Sequence, residues 1–427
     1  MNPLLEKRFV IFSLIIFTGI LSLSSYYNPS GASGYVASPF DKVLSLARFG
    51  TYALTFLLLI ARLKSVIRAV RRDLFLVFLM VLVVISPLWS DFPAVSRKQA
   101  LLTLLTTLFG LYLASRFSIK EQVHLLAWAL GIATVFSFLY TLALPGSGIE
   151  QGLHAGAWRG TFVQKNLFSR FMVASVLPLF LVALSSRKYR YILWTIFGIA
   201  VVLILLTKSK SALLIFLTLM VLVPLYKALR VSHSITVPLF ITAILIAGSV
   251  GVWLVTNWEP FLLSLGKDTT LTGRTYIWEA VIDKIGDRPW LGYGYQAFFA
   301  EGGVGQKAVW HAIHIYINQA HNGYINIAAD LGLLGLLFFS LSLLSTYLRA
   351  IHWVRLTKNS EALWPLLYVT FIFMYNQSET TNLETNSILW IFYAAAAFSV
   401  KHLRVVEVDE NTENFKRETW LEEAVNA

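Results

Sequence analysis

Apolar stretches long enough to cross a lipid bilayer recur along almost the whole chain, and most of the links between them are too short to fold on their own. A helix needs about 20 residues to cross roughly 30 Å of hydrocarbon. Runs approaching that length fall near 9–25, 43–61, 74–89, 99–114, 123–144, 167–184, 189–207, 211–226, 235–256, 322–348, 362–377 and 386–402. The expected fold class is therefore an all-α polytopic membrane protein with about twelve transmembrane helices. Composition agrees where it could have overruled the pattern. The 427 residues are 57% hydrophobic and 14% charged, whereas soluble domains are nearer half apolar and a quarter charged. A net charge of +12 does not imply nucleic acid, because the Lys and Arg residues sit in short links where they report topology. The absence of Cys removes disulfides, thiolate catalysis and Cys-ligated metal sites. Met1 to Arg8 and the apolar run behind it could pass for a signal peptide; with so many later spans, a retained first helix is expected.

The links alternate in charge. One set carries Lys7 and Arg8, then Arg62 to Arg72, Arg116 and Lys120, Arg187 to Arg190, Lys227 and Arg230, Arg349 to Lys358, and Lys401 to Arg404. Short cytoplasmic loops are enriched in Lys and Arg, so this set and both termini are expected inside. The other set, 26–42, 90–98, 145–166, 207–210, 257–321 and 378–385, holds the informative polar residues and is expected outside. The domain reading is a membrane domain over 1–404, with 257–321 as one large structured extracytoplasmic loop, and a cytosolic tail over 405–427. That tail is polar and mixed in charge, without an apolar period that could build a core.

The 257–321 segment is too long for a plain linker. Thr272 is placed to cap a helix whose Ile277, Trp278, Val281, Ile282 and Ile285 recur at helical spacing, with Gly286 and Pro289 as stop signals. Arg274 falls in the first turn, where a cation opposes the positive end of the helix dipole and calls for a nearby anion. A phosphate held by the helix end and the guanidinium would supply it, and so would a lipid headgroup. The 145–166 link crowds Arg159, Lys165 and Arg170 at one outward entrance, with Asn166 as an expected helix cap; they read as an anion site or as snorkelling cations. Lys208 and Lys210 add two cations on the same side, either as part of that site or as a solvated turn. Arg48 lies more than a turn inside the second span, a depth at which an ionisable residue usually faces the bundle.

His321 immediately precedes Asn322, the expected cap of a helix that re-enters the membrane. The positive helix end favours its neutral form, which suits a general base; an interfacial structural histidine is the alternative. His311 and His314 could join it at a metal, but no HExxH-type pattern supports one, and no metal or cofactor is implied. Glu379 and Glu384 in the last outward loop are alternative bases or orienting partners.

Four stretches in order, AWRGTFVQKN at 157–166, TKSKSALL at 207–214, TGRTYIWEAVIDKIGDRPWLGYGYQAF at 272–298 and HNGYINIAADLGLLG at 321–335, resemble the successive signatures of the O-antigen ligase and Wzy-type polymerase superfamily. The WRGTFVQKN form and the Ser209-Lys210 pair are most similar to the exopolysaccharide polymerases called ExoQ; many ligases carry Ser-Arg at the latter site. The resemblance implies a GT-C-like bundle in the bacterial cytoplasmic membrane, with its active site outside. It implies a metal-independent, inverting glycosyltransferase that polymerises undecaprenyl-pyrophosphate-linked oligosaccharides. By motif position the acceptor-activating role falls on His321 and pyrophosphate binding on Arg274 and Lys210, with Arg159 and Lys165 as weaker carry-overs. Arg48, Arg170, Asn322 and Glu379 complete the candidate site. Expected partners are the lipid-linked oligosaccharide, membrane lipids, a flippase and a chain-length regulator. A ligase acting on lipid A core is the alternative within the family. A transporter or flippase is the alternative outside it, against which stand the lack of inverted repeats and the large aromatic-rich outward segment.

Overall fold

The computed structural model describes residues 2–22, 40–231, 274–314 and 317–401. The expected span at 235–256, the first part of the 257–321 segment with Thr272, and the tail at 405–427 lie outside the described residues. Each of the other expected spans falls largely on a helix. The first are α1 (Pro3–Phe17), α2 (Phe40–Ile60), the short link helix α3 (Leu63–Val70), α4 (Leu74–Ile85), α5 (Pro93–Arg116) and α6 (Ile119–Ala143). A one-turn α7 (Pro145–Gly148) leads to α8 (Lys165–Ser185), α9 (Arg190–Leu206) and α10 (Lys210–Ala228). Beyond the undescribed stretch come α11 (Arg274–Asp287), α12 (Val304–Ile313), α13 (Gly323–Leu356), α14 (Trp364–Tyr375) and α15 (Ile388–Ser399). Among the described residues five helices, α2, α6, α8, α10 and α13, are long and apolar enough to cross a membrane.

The bundle is built on α8, which packs against α6 and α9, and on the almost wholly buried α15, which packs along α5. Gly110 permits that second approach: a Cβ there would stand 2.7 Å from the Ala394 Cβ and 2.8 Å from the Ile391 carbonyl. α5 is 24 residues long but is laced with Thr103, Thr106 and Thr107, whose hydroxyls turn inward to bond Tyr295, Leu102 and Thr103 in that order. At the far end of the bundle Asp73 caps α4 and receives Arg349 at 2.8 Å, Ser342 at 3.1 Å and Thr346 at 3.0 Å. A buried carboxylate with this many donors fixes the approach of α4 and α13, since separating its partners would leave a charge unpaired in apolar surroundings.

The expected re-entrant helix exists, but it is broken. Gly332 has φ 67° inside α13, and the helix ladder stops there. In a membrane protein the backbone groups freed by such a break need partners from elsewhere. The chain following α11 supplies them: Leu333 N donates to the Pro289 carbonyl at 2.7 Å and Leu334 N to that of Trp290 at 3.3 Å, while Tyr293 N and Gly294 N donate to the carbonyls of Ala329 and Asp330 at 3.0 and 2.9 Å. The PWLGYG stretch is thus a plug for the broken helix. Gly332 is required at the contact, because a Cβ would lie 2.2 Å from the Trp290 carbonyl carbon.

Above this break sits a second, smaller core. Ile277 and Val281 of α11, Tyr293, Phe298, Val309 of α12, Ala320 and Ala329 pack together, with Trp278 and Ile285 against them. The expected apolar face of α11 is therefore buried on the protein's own residues, except that Ile282 points away and is 56% exposed. The segment also holds α12, a helix for which the sequence offered no separate signal.

Candidate functional site

The site forms where three chain segments meet: the start of α11, the turn before α13, and the loop at 376–387 between α14 and α15. Asn322 caps α13 as expected, its Oδ1 accepting Tyr324 N at 3.0 Å and Ile325 N at 3.2 Å. His321 stands just outside that cap in the left-handed region, φ 51°, which side chains other than glycine occupy at a cost. Its neighbours hold it there. Ala320 N donates to Asn326 Oδ1 at 2.7 Å, Trp278 Nε1 donates to the Ala320 carbonyl at 2.9 Å, and Gly323 N donates to the Asn376 carbonyl at 2.9 Å. Asn382 Nδ2 closes the turn on the Gly323 carbonyl, also at 2.9 Å.

Glu379 joins the three segments. Its Oε2 lies 3.2 Å from His321 Nδ1, and its Oε1 accepts Arg274 Nη2 at 2.9 Å and Asn166 Nδ2 at 3.3 Å. Arg274 Nη1 also donates to the Ser378 carbonyl. Burial by itself would raise the Glu379 carboxyl, but the His321 hydrogen bond and the charges of Arg274 and Arg170 outweigh it and hold the group below the usual carboxylate range. The carboxylate is thus anionic at neutral pH. In a neutral imidazole, an anion accepting at Nδ1 selects the tautomer protonated there and leaves Nε2 with its lone pair.

The anion that Arg274 calls for is therefore, in the first instance, the protein's own. Arg170, expected one turn inside α8, is likewise engaged: Nη1 and Nη2 grip Glu384 at 2.8 and 3.2 Å, and Nη1 donates to the Thr380 carbonyl at 2.6 Å. Arg159 is buried, with Nε on the Ser147 carbonyl at 2.9 Å and Nη1 on that of Val163 at 3.2 Å, so it clamps its own loop. Asn166 is not the cap of α8. The helix starts one residue earlier, at Lys165, and Asn166 faces Glu379 from its first turn.

The lysines differ. Lys208 and Lys210 lie close enough for their charges to act on Lys165, as does Glu150, whose carboxylate also accepts Lys165 N at 2.5 Å. Lys208 is turned into this corner by a left-handed backbone, φ 52°, and its ammonium group lies over Gly156, where a Cβ would be 3.0 Å from Nζ. Lys165 and Asn166 are consecutive, so the lysine corner and the Glu379 centre share the mouth of α8. Arg48 lies on α2 one turn before Tyr52, whose hydroxyl bonds Thr106 Oγ1 at 2.9 Å and Asn386 Oδ1 at 2.8 Å in the same outer loop. Its buried Nε has no acceptor among the described residues. His311 and His314 belong to α12 and its C-terminal cap, and no group of three metal-ligating side chains occurs among the described residues.

With this geometry the comparisons with known proteins become informative. Residues 195–340 match the family described as O-Antigen ligase. Over that segment the chain is similar to the O-antigen ligase and Wzy-type superfamily. The matched segment contains Lys210, Arg274 and His321, whereas Glu379, which ties two of them together, lies beyond it. A stretch of 114 residues is 32% identical to the exopolysaccharide production protein ExoQ of Rhizobium meliloti (strain 1021). That stretch covers 26% of this chain and 26% of the relative, so the chain is aligned with only about a quarter of the relative's length. Glu150 and the asparagines 376 and 382 were not singled out by sequence reasoning; the only local signal was that Glu150 is the sole acid in a link otherwise rich in cations.

Proposed function

We propose that this protein is a multi-pass enzyme of the bacterial cytoplasmic membrane that polymerises undecaprenyl-pyrophosphate-linked oligosaccharide repeats into an exported polysaccharide, with its site outside. The observation that carries the reading is the Arg274–Glu379–His321 relay beside a lysine corner. His321 Nε2 takes the proton of the acceptor sugar hydroxyl as its oxygen attacks the anomeric carbon. The bond from that carbon to the pyrophosphate oxygen breaks on the opposite face, the electron pair leaves with the pyrophosphate, and the configuration inverts. A lipid pyrophosphate needs mainly charge balance to leave, which Lys165, Lys208 and Lys210 are placed to give. Arg274 fixes the carboxylate that orients His321 and turns its remaining donors toward the pyrophosphate. Similarity to an exopolysaccharide production protein favours polymerisation over transfer to lipid A core.

The test is the purified full-length chain with a defined lipid-linked repeat. General-base assistance contributes on the order of 10² to 10⁴ in rate, so His321→Ala loses that factor while remaining inserted, and single repeats accumulate. His321→Asn separates hydrogen bonding from proton transfer, and wild-type turnover by it sinks the mechanism. Sidedness is read with single cysteines at Gly303 and Ser65 of this Cys-free chain: an impermeant maleimide applied to intact cells should label only position 303.

A further inference from the structure

A cavity of about 390 Å³ opens at the other end of the bundle. α5 spans the separation: Ser96 near its start donates to the Tyr295 carbonyl beneath the site, and Arg116 at its end lines the cavity. At 1.5 Å per residue its 24 residues place the two about 30 to 36 Å apart. Among the described residues the walls carry five cations, Arg68, Arg72, Arg116, Lys120 and Lys401, and no carboxylate.

One of these cations, Arg116, already has a carboxylate partner, and the other nearby acid is engaged outside the cavity. Glu6 accepts Arg116 Nε and the Tyr112 hydroxyl, both at 2.9 Å, and Glu121 pairs with Lys7 at 3.2 Å and with Ser118. Arg72 spends one nitrogen on the carbonyls of Phe398 and Ser399. Burial, then the charges of Arg349 and Arg68, push its guanidinium below the ordinary value. Lys120 and Lys401 are exposed with no carboxylate within ion-pair reach among the described residues. A second observation points to a missing acceptor: Trp353 lines the cavity, and its indole Nε1 is buried with no hydrogen-bond partner among the described residues. Such a donor is costly to leave unmade.

A surplus of cations at this end is what short inward links would show anyway; a concave chamber with an unanswered donor in its wall is more than that bias requires. We propose that this cavity binds a phosphoryl group, delivered at the level of the lipid headgroups, through Arg68, Lys120 and Lys401, with Trp353 donating to one of its oxygens. Basic pockets between membrane helices are a recurrent way of holding anionic headgroups, and a soluble phosphate compound offers the same chemistry.

The experiment uses the full chain in nanodiscs, with native mass spectrometry of phosphatidylglycerol retained after stepwise delipidation and inorganic phosphate as competitor. One phosphatidylglycerol per chain should outlast the rest. Arg68→Gln with Lys120→Gln should lower its retention at least tenfold, whereas Arg68→Lys with native Lys120, and Lys64→Gln at the same end but outside the cavity, should not. Retention that resists millimolar phosphate identifies the lipid headgroup as the source. Displacement by phosphate identifies a soluble phosphoryl compound. Equal retention by wild type and the double variant, with both folded by thermal unfolding, overturns the proposal. So does binding that appears only after Glu407, Asp409 and Glu410 are neutralised, since those acids would then be the occupant.

Discussion

The two cation-rich walls of the site differ in how their charges are used. Around the 376–387 loop every arginine is pinned: Arg274 by Glu379, Arg170 by Glu384 through both terminal nitrogens. At the mouth of α8 three lysines share one corner with Glu150. A pinned guanidinium sets geometry, because its planar fork fixes the partner's orientation as well as its charge. Lysines held together against their mutual repulsion store an affinity for an anion instead. On the proposed function the first wall is expected to govern turnover and the second binding of the donor, both built from residues that are expensive to bring near hydrocarbon.

Variants of the pinned wall should show the largest effects. Glu379→Gln keeps the size of the side chain but removes the anion that selects the His321 tautomer, so turnover should fall about 10²-fold with donor KM little changed; a variant with unchanged kcat would show that the relay is only a brace. Arg274→Ala strips a charge-assisted bond from a partly buried carboxylate, worth about 1.5–3 kcal/mol, or roughly tenfold or more in turnover. Arg274→Lys should recover only part of it, which steady-state rates on one lipid-linked donor will reveal. Lys210→Ala and Lys208→Ala should each raise donor KM by up to about tenfold and leave kcat near wild type. If they lower kcat as Glu379→Gln does, the division between the two walls fails.

The smallest effect expected is in the pH dependence of stability. The Glu379 carboxyl is depressed in the folded chain, so its contribution is present above the unfolded value, about 4.3, and disappears as pH falls through the lower folded value. Thermal unfolding in detergent should thus lose stability on acidification below about pH 4.3, and Glu379→Gln should flatten that part of the curve. An identical slope in the two proteins would mean that the pairing with Arg274 and His321 does not survive outside the folded membrane.

The helical, membrane-spanning character of this chain, the positions of its described apolar helices and the cap at Asn322 were all legible in the amino-acid order. These depend on local properties: hydropathy over about 20 residues, and a side-chain oxygen one position before a helix. The sequence also supplied the order of motifs in which Lys210, Arg274 and His321 stand. Which of these cations are taken up by the protein's own groups becomes visible only once distant segments are brought together. Arg159, Arg170 and Arg274 look alike as outward-facing arginines in a sequence, yet their partners come from Ser147, Glu384 and Glu379, two of them more than 100 residues away. The break at Gly332 was hidden for the same reason. A glycine inside an apolar run reads as a tolerated helix residue until Pro289 and Trp290 arrive to take its unpaired backbone groups, because satisfaction of backbone hydrogen bonds is a property of the whole fold and not of any one segment.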